Sequence, residues 1–401
     1  MSSGYLRALK FATYLPEDNF VPYILTVNSI AYEQISERSV NQMPDDIIIN
    51  RTFCLDAQRH LSIKGKYPNF LAIPDKYSTW IIPALLKGLQ LIYTEKIDFI
   101  FSTSPIPSAH MIGYLLKKIT KRPWIADFRD PVWDEYMNLK GVQLRARKYI
   151  EKKSVLNSDL LVMTTDGIKK LFLKRYPFLK NKKLEVIPNG YDENDFKHIY
   201  SMNARHQSRI KLIHAGLLEQ IDRDPVPFFK SVSMLLKTKK ITESHITINL
   251  YAPGNDDYYK SIIKEYGIEN IVKIQQRLPY TDILREMFNS DVLLLFQGPS
   301  CDTQIPAKLY EYLRISKPIF ALTSESGETG KIIKKLKAGI IVPPDQPETI
   351  ALRLNGFIHQ IQNNVNLPTA SREEITQFSR AHQTKTLVNC FKNISSKSGN
   401  K

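Results

Sequence analysis

Asp291–Leu322 reads DVLLLFQGPSCDTQIPAKLYEYLRISKPIFAL, and the fold turns on how this stretch is read. Val292 to Phe296 is an unbroken apolar run, the pattern of a strand buried on both faces of a parallel sheet. Gln297 to Ile305 is a polar loop holding Gly298 and Pro299. Pro306 suits the first position of a helix. Leu309, Tyr312 and Leu313 fall at helical spacing and form its inner face, while Lys308 and Glu311, three apart, share another side. Lys317-Pro318 ends the helix, and Ile319 to Leu322 reads as the next short strand.

A loop leaving the C-terminal end of a parallel strand opens the crevice where sheets of this class take ligands. The helix start adds free N–H groups and the positive end of a dipole, both suited to phosphate. Lys308 brings a point charge within the first turn, and Glu311 is placed to accept hydrogen bonds from a ribose. The same two residues also fit an ordinary intrahelical ion pair on a surface helix. The residues alone leave both readings open.

PAKLYEYLRISKPIFA resembles the donor-site segment of glycosyltransferase family 4. The resemblance implies the GT-B fold, an α/β architecture of two Rossmann-like, doubly wound domains facing across a cleft. The family signature sets two glutamates with seven residues between them. Glu311 matches the second, which is implied to contact the nucleotide ribose; the first position is Thr303, a departure from the pattern. The resemblance therefore leaves Thr303, Gln304 or backbone N–H groups of the loop to contact the transferred sugar. Pro306, Lys308 and Leu309 carry over as the donor-binding core.

The chain has 401 residues, more than one ordinary core and enough for two domains. With 43% hydrophobic and 24% charged residues it reads as a folded soluble protein. No apolar run approaches the ~20 residues that span a bilayer; Trp80 to Tyr93 comes nearest and is interrupted by Lys87 and Gln90. The start lacks the apolar stretch of a signal peptide. Cys54, Cys301 and Cys390 are scattered and odd in number, which argues against a disulfide framework or a thiolate zinc site and for a reducing cytoplasm. The formal charge of +16 is uneven: Lys140 to Lys183 holds thirteen Lys/Arg against three Asp/Glu. A helical basic face there, QLRARKYIEKK, fits an anionic membrane surface on the inner side of the plasma membrane, and equally a solvated face. Nucleic acid ranks last, since no zinc-finger, RNP or KH pattern occurs.

In chain order, Met1 to Leu15 is helix-like and Phe20 to Val27 a strand. A doubly wound domain normally opens with a strand. In the resembled family a strand and a glycine-rich loop precede this helix, so Gly4 looks like the tail of that loop and Arg7 like the arginine at its start. The expectation is a chain that begins about one central strand late. Ile47 to Phe53 reads as a strand, Leu55 to Ser78 as an irregular insert, Trp80 to Glu95 as a helix and Ile97 to Ser102 as a strand. A helix from Pro107 to Thr120 follows.

Trp124 to Phe128 is a buried strand running into ADFRDPVW, where Asp127, Arg129 and Asp130 crowd its end. Charges there are costly unless paired or used. One reading is a structural ion-pair cluster. The other, favoured by the frequency of ADFRDPxW in family 4, has them contact the acceptor or the transferred sugar, with Asp130 first and Asp127 next. Asp159 to Thr164 is a strand and Asp166 to Tyr176 a helix. Leu184 to Ile187 is a strand closed by Pro188-Asn189-Gly190, where the first domain ends at about residue 190.

The second half repeats the alternation, with strands at Ile210 to His214, His245 to Tyr251 and Val272 to Gln275 and intervening helices. Gly216 allows close backbone approach and Arg223 precedes a helix, well placed for phosphate. The resemblance implies that this loop supplies basic contacts to the donor diphosphate. Asp222-Arg223-Asp224 spells a DxD motif, expected about once by chance in a chain of this composition; no metal is expected. Gly327 to Lys335 and Pro347 to Gln360 read as helices, and Ser371 to Ile394 as one final helix that returns to the first domain. Ser395 to Lys401 reads as a disordered tail. The resemblance thus implies a retaining transferase moving a sugar from a nucleoside diphosphate sugar to a glycan or polyprenyl-linked glycan in cell-surface polysaccharide synthesis, without a cofactor. The rivals are a non-catalytic, nucleotide-binding remnant of such an enzyme and a basic membrane-surface scaffold.

Overall fold

The computed structural model describes residues 4–32, 47–62, 67–181, 184–197, 199 and 209–398. The chain divides into two compact units, one formed by Met1–Pro188 with Arg380–Lys401 and the other by Asn189–Ser379.

The first unit opens with the helix Gly4–Tyr14, then β1 (Tyr23–Val27) and β2 (Ile48–Thr52), which pair in parallel. The insert read as irregular holds, among the described residues, the short α-helix Ala57–His60, capped by the Asp56 carboxylate, and the 3-10 helix Asn69–Ala72. After the helix Ile81–Thr94 come β3 (Ile100–Thr103), the helix Pro107–Thr120, β4 (Trp124–Phe128), the helix Gly141–Asn157, β5 (Leu160–Met163), the helix Asp166–Arg175 and β6 (Leu184–Val186). β3 to β6 make one parallel sheet in sequence order. Every residue of β4 and β5 is buried, as the apolar runs require. Trp124, Ala126 and Phe128 enter one core and Ile125 the opposite one, following the period of two along a strand.

β1 and β2 form a separate two-stranded sheet, so the sheet of this unit is divided between β1 and β3. The two pieces nevertheless share a core: Val27 of β1 and Ile100 of β3 pack in one cluster with Trp80, Ile112 and Leu116.

The second unit carries β7 (Ile210–Ala215), β8 (Ile246–Tyr251), β9 (Val272–Gln275), β10 (Val292–Phe296), β11 (Ile319–Leu322) and β12 (Gly339–Val342). All pair in parallel in the order β12-β11-β10-β7-β8-β9. β10 shows why both faces are apolar. Val292, Leu294 and Phe296 enter one core while Leu293 and Leu295 enter the other. β7 and β10 are adjacent in the sheet yet far apart in sequence, and the connections leave them in opposite directions. Their C-terminal ends therefore frame the topological switch point, where sheets of this class open a ligand crevice.

Two expectations near the C-terminus are corrected. The final helix is two helices, Arg372–Thr376 and Arg380–Ser398. The break follows from backbone pairing: Tyr191 N donates to Phe378 O, and Tyr191 bridges Ser379 like a strand, which diverts groups a continuous helix would use. The stretch read as a disordered tail is helical through Ser398. Buried Ile394 anchors the last turns against Phe11, Ile125 and Phe391, and the Ser395 hydroxyl donates to Phe391 O. Residues 399–401 of that tail lie outside the described residues.

Candidate functional site

The helix Ala307–Ile315 begins at the switch point of the second unit. Pro306 is extended, with ψ 137°, and serves as the N-cap rather than the first helical residue expected. Its carbonyl accepts from Leu309 N. Among the described residues, the amides of Ala307 and Lys308 have no protein acceptor. Two N–H donors at the positive end of the helix dipole are therefore left for a ligand.

Lys308 extends from this first turn towards β7. Its Nζ lies 3.1 Å from Nε2 of His214, and the Nδ1 of His214 lies 3.0 Å from Leu294 O. Gly216 makes the approach feasible: it adopts φ +110°, and a Cβ there would sit 3.1 Å from the Lys308 Nζ. Among the described residues no carboxylate pairs with Lys308 within ion-pair distance. The residue is half-buried, and desolvation of the ammonium, with the nearby Arg223 cation, pushes its pKa down to about 7 against the opposing pull of Glu311 and Glu219. An ammonium with no carboxylate in ion-pair contact, beside two unpaired amides, is poised to receive an anion.

Glu311 shares that side of the helix, and its Oε1 accepts from the Tyr280 hydroxyl at 2.7 Å. Leu309 is fully buried in the core, so its side chain packs and does not line the crevice; this corrects its placement among the binding groups. Gln304 contributes its backbone, its carbonyl accepting from Gln297 Nε2 and Thr329 Oγ1, and Thr303 precedes it in the same half-buried loop. Arg223 pairs with Glu219 at 3.3 Å across a backbone bridge. The two carboxylates of the DxD spelling have separate structural roles. Asp222 accepts from the Ser300 hydroxyl at 2.5 Å, and Asp224 accepts from Val226 N at the start of the next helix. Asp222 O also accepts from Gly298 N at 2.6 Å, which ties the loop after β7 to the loop after β10. Among the described residues no group of three or more His, Cys, Asp or Glu is arranged to hold a metal ion.

In the first unit Asp127 and Arg7 meet each other. Arg7 Nε and Nη2 donate to the two Asp127 oxygens at 3.0 and 2.9 Å, and both side chains are almost fully buried. The guanidinium also donates to Ile187 O and Pro188 O, and Thr103 Oγ1 donates to Asp127 Oδ2 at 2.7 Å. The structural reading grouped Asp127 with Arg129 and Asp130; the ion-pair partner of Asp127 is Arg7. Such a pair, with most of its donors consumed, is costly to break from one side. Gly4, the other residue carried over with Arg7, is the first residue of their helix.

Arg129 and Asp130 differ: both are half-buried at the C-terminal end of β4. Desolvation lowers the pKa of Arg129 against the opposing pull of Asp127 and Asp130. Their backbone is pinned by Ser104, whose Oγ accepts from Arg129 N at 2.8 Å and Asp130 N at 3.3 Å. The following loop is held by Glu151, which is fully buried and accepts from Val132 N, Trp133 Nε1, the Tyr176 hydroxyl and Arg175. Sequence reasoning missed His214, Tyr280, Ser104 and Glu151. Ser104 lies in the turn-rich segment STSPIPSAH, residues 102–110.

Comparison with known proteins bears on this geometry. Residues 229–374, within the second unit, match the family of glycosyl transferases group 1. No curated protein sequence matches the chain. Among solved structures, sucrose-phosphate synthase from Thermosynechococcus elongatus is 12% identical with a TM-score of 0.64, covering 98% of this chain and 93% of that one. HepE from Anabaena, in complex with UDP and glucose, is 15% identical with a TM-score of 0.65, covering 98% and 96%. The lipopolysaccharide outer core galactosyltransferase WaaB, in its apo form, is 13% identical with a TM-score of 0.61, covering 98% and 97%. These likenesses show the fold, the GT-B architecture of two α/β units, and the match to glycosyl transferases group 1 is confined to residues 229–374 of the second unit.

Proposed function

We propose that the chain transfers a sugar, with retention of anomeric configuration, from a nucleoside diphosphate sugar to a hydroxyl of a glycan or lipid-linked glycan. The observation that carries this reading is the pair of unpaired amides at Ala307 and Lys308, joined by a lysine ammonium without a carboxylate partner. A diphosphate satisfies all three. HepE in complex with UDP-glucose supports a sugar nucleotide of that kind.

In the reaction the bond from the anomeric carbon to the diphosphate oxygen breaks, and its electron pair leaves with the diphosphate. The acceptor oxygen bonds to the anomeric carbon on the same face, and its proton passes to the leaving phosphate oxygen. The helix start and Lys308 stabilise the charge that grows on the leaving group, with Arg223 as a further cation. Glu311 orients the ribose, and the Thr303–Gln304 loop meets the sugar. Asp130, with Arg129, is the proposed contact to the acceptor or the transferred sugar, since Asp127 is taken by Arg7.

No described helix is long and apolar enough to cross a membrane. A lipid-linked acceptor fits an anionic membrane surface held by the helix Gly141–Asn157, where Arg145, Lys148 and Lys152 are exposed beside Val142, Tyr149 and Leu156. The test of the donor is thermal shift against UDP, GDP, ADP and CMP, followed by release of the matching nucleoside diphosphate from its sugar conjugate. One nucleotide should raise the melting temperature by several degrees; no shift with any of them overturns the reading.

A further inference from the structure

The role given to Lys308 leaves open what holds it in place. His214 has no exposed surface and packs edge-on against Phe296, with ring centroids 5.1 Å apart. Its Nδ1 faces Leu294 O at 3.0 Å. A carbonyl only accepts, so Nδ1 carries the proton and Nε2 is left as an acceptor. The group that Nε2 faces, at 3.1 Å, is the Lys308 ammonium. Burial, with Lys308 and Arg223 nearby, holds the His214 pKa well below its ordinary value, so the ring stays neutral.

We propose that His214 is a positioning residue for the donor diphosphate: its Nδ1–H, anchored on Leu294 O, fixes Nε2 as the acceptor that aims the Lys308 ammonium at the helix start. The proposal rests on the reading of Lys308 as a diphosphate ligand and adds the group on which that ligand depends. The charged groups facing Lys308 are Arg223 and Glu219 from the loop after β7 and Glu311 from its own helix; the neutral His214 comes from β7. Without the Nε2 acceptor the ammonium form loses its hydrogen-bond partner, and the free protein holds that charge at lower pH only. Leu294 O keeps the Tyr312 hydroxyl at 3.1 Å, so replacing the ring does not orphan the carbonyl.

The experiment is calorimetric UDP affinity from about pH 5.5 to about pH 9 for the wild type, His214→Phe, His214→Gln and Lys308→Ala. The titration of UDP itself is common to all four. His214→Phe should bind about tenfold more weakly at pH 8, corresponding to about one pKa unit on the lysine, and recover to within about twofold at pH 5.5. His214→Gln, which restores an acceptor, should track the wild type. A loss that is uniform across pH, no loss, or a glutamine variant behaving like phenylalanine overturns the proposal. Nitrogen-15 NMR of wild-type His214 gives a second reading that needs no variant to fold: a neutral ring protonated at Nδ1 is expected, and a proton on Nε2 overturns it. Lys308→Ala separates the two levels, since unchanged UDP affinity there defeats the diphosphate reading itself.

Discussion

The Tyr280 hydroxyl donates to Glu311 Oε1 at 2.7 Å, linking the start of one helix to the middle of another 31 residues away. The bond fixes the carboxylate that the account assigns to the ribose. Glu311→Ala should weaken UDP binding by tenfold or more, on the order of 1.5–3 kcal/mol for a hydrogen bond to a charged group. Tyr280→Phe, which only frees the carboxylate, should cost less, about threefold. Calorimetry checks both, with melting temperatures as the control for folding.

Lys308 exchanges stability for function. Its folded pKa lies near 7, below the ordinary 10.5. Between those values the unfolded chain holds a proton that the folded chain gives up. The contribution of this group to stability therefore rises as pH climbs through that window, and its destabilising effect is complete below about pH 7. Lys308→Met should raise the melting temperature near neutral pH, by about 2–4 °C per kcal/mol recovered, and the gain should vanish at alkaline pH. UDP binding should be lost. A variant no more stable than the wild type at pH 7 contradicts this balance.

Arg7 and Asp127 form a buried pair that is costly to break from one side. Asp127→Ala or Arg7→Met should each destabilise the protein by about 3–5 kcal/mol, because the remaining charge is stranded. Arg7→Met combined with Asp127→Leu should cost less than either single change. Denaturant unfolding of the three variants measures this. If Asp127 served in the reaction instead, Asp127→Ala would lose turnover and keep its stability.

The basic face of the helix Gly141–Asn157 gives a further expectation. Arg145 and Lys152 are exposed and take part in no described ion pair. Reversing both to Glu should weaken binding to vesicles rich in anionic lipid by at least tenfold, at about 1 kcal/mol per basic residue near the surface, and leave the melting temperature unchanged. Sedimentation with vesicles checks it; equal binding of the reversed protein removes the membrane assignment.

Much of the fold was legible because its signals are local. VLLLF declares β10 by itself, and WIADF declares β4, since strands buried on both faces carry unbroken apolar runs. Lys308 and Glu311 stand out as candidates because helical spacing and a family segment both mark them. What stayed hidden depends on partners far along the chain. Nothing near His214 announces Lys308, 94 residues on. The Arg7–Asp127 pair spans 120 residues, so neither residue's neighbourhood in the sequence names the other as its partner. The break at Gln377–Ser379 is set by pairing with Tyr191, far away along the chain, while the local sequence favours one uninterrupted helix.

The start of the helix Ala307–Ile315 is the proposed seat of the donor diphosphate. A crystal structure of the protein with UDP tests it most directly. Phosphate oxygens are expected within hydrogen-bond distance of the Ala307 and Lys308 amides and of the Lys308 Nζ, with the ribose against Glu311. A diphosphate bound elsewhere, with those two amides still without a partner, would contradict it.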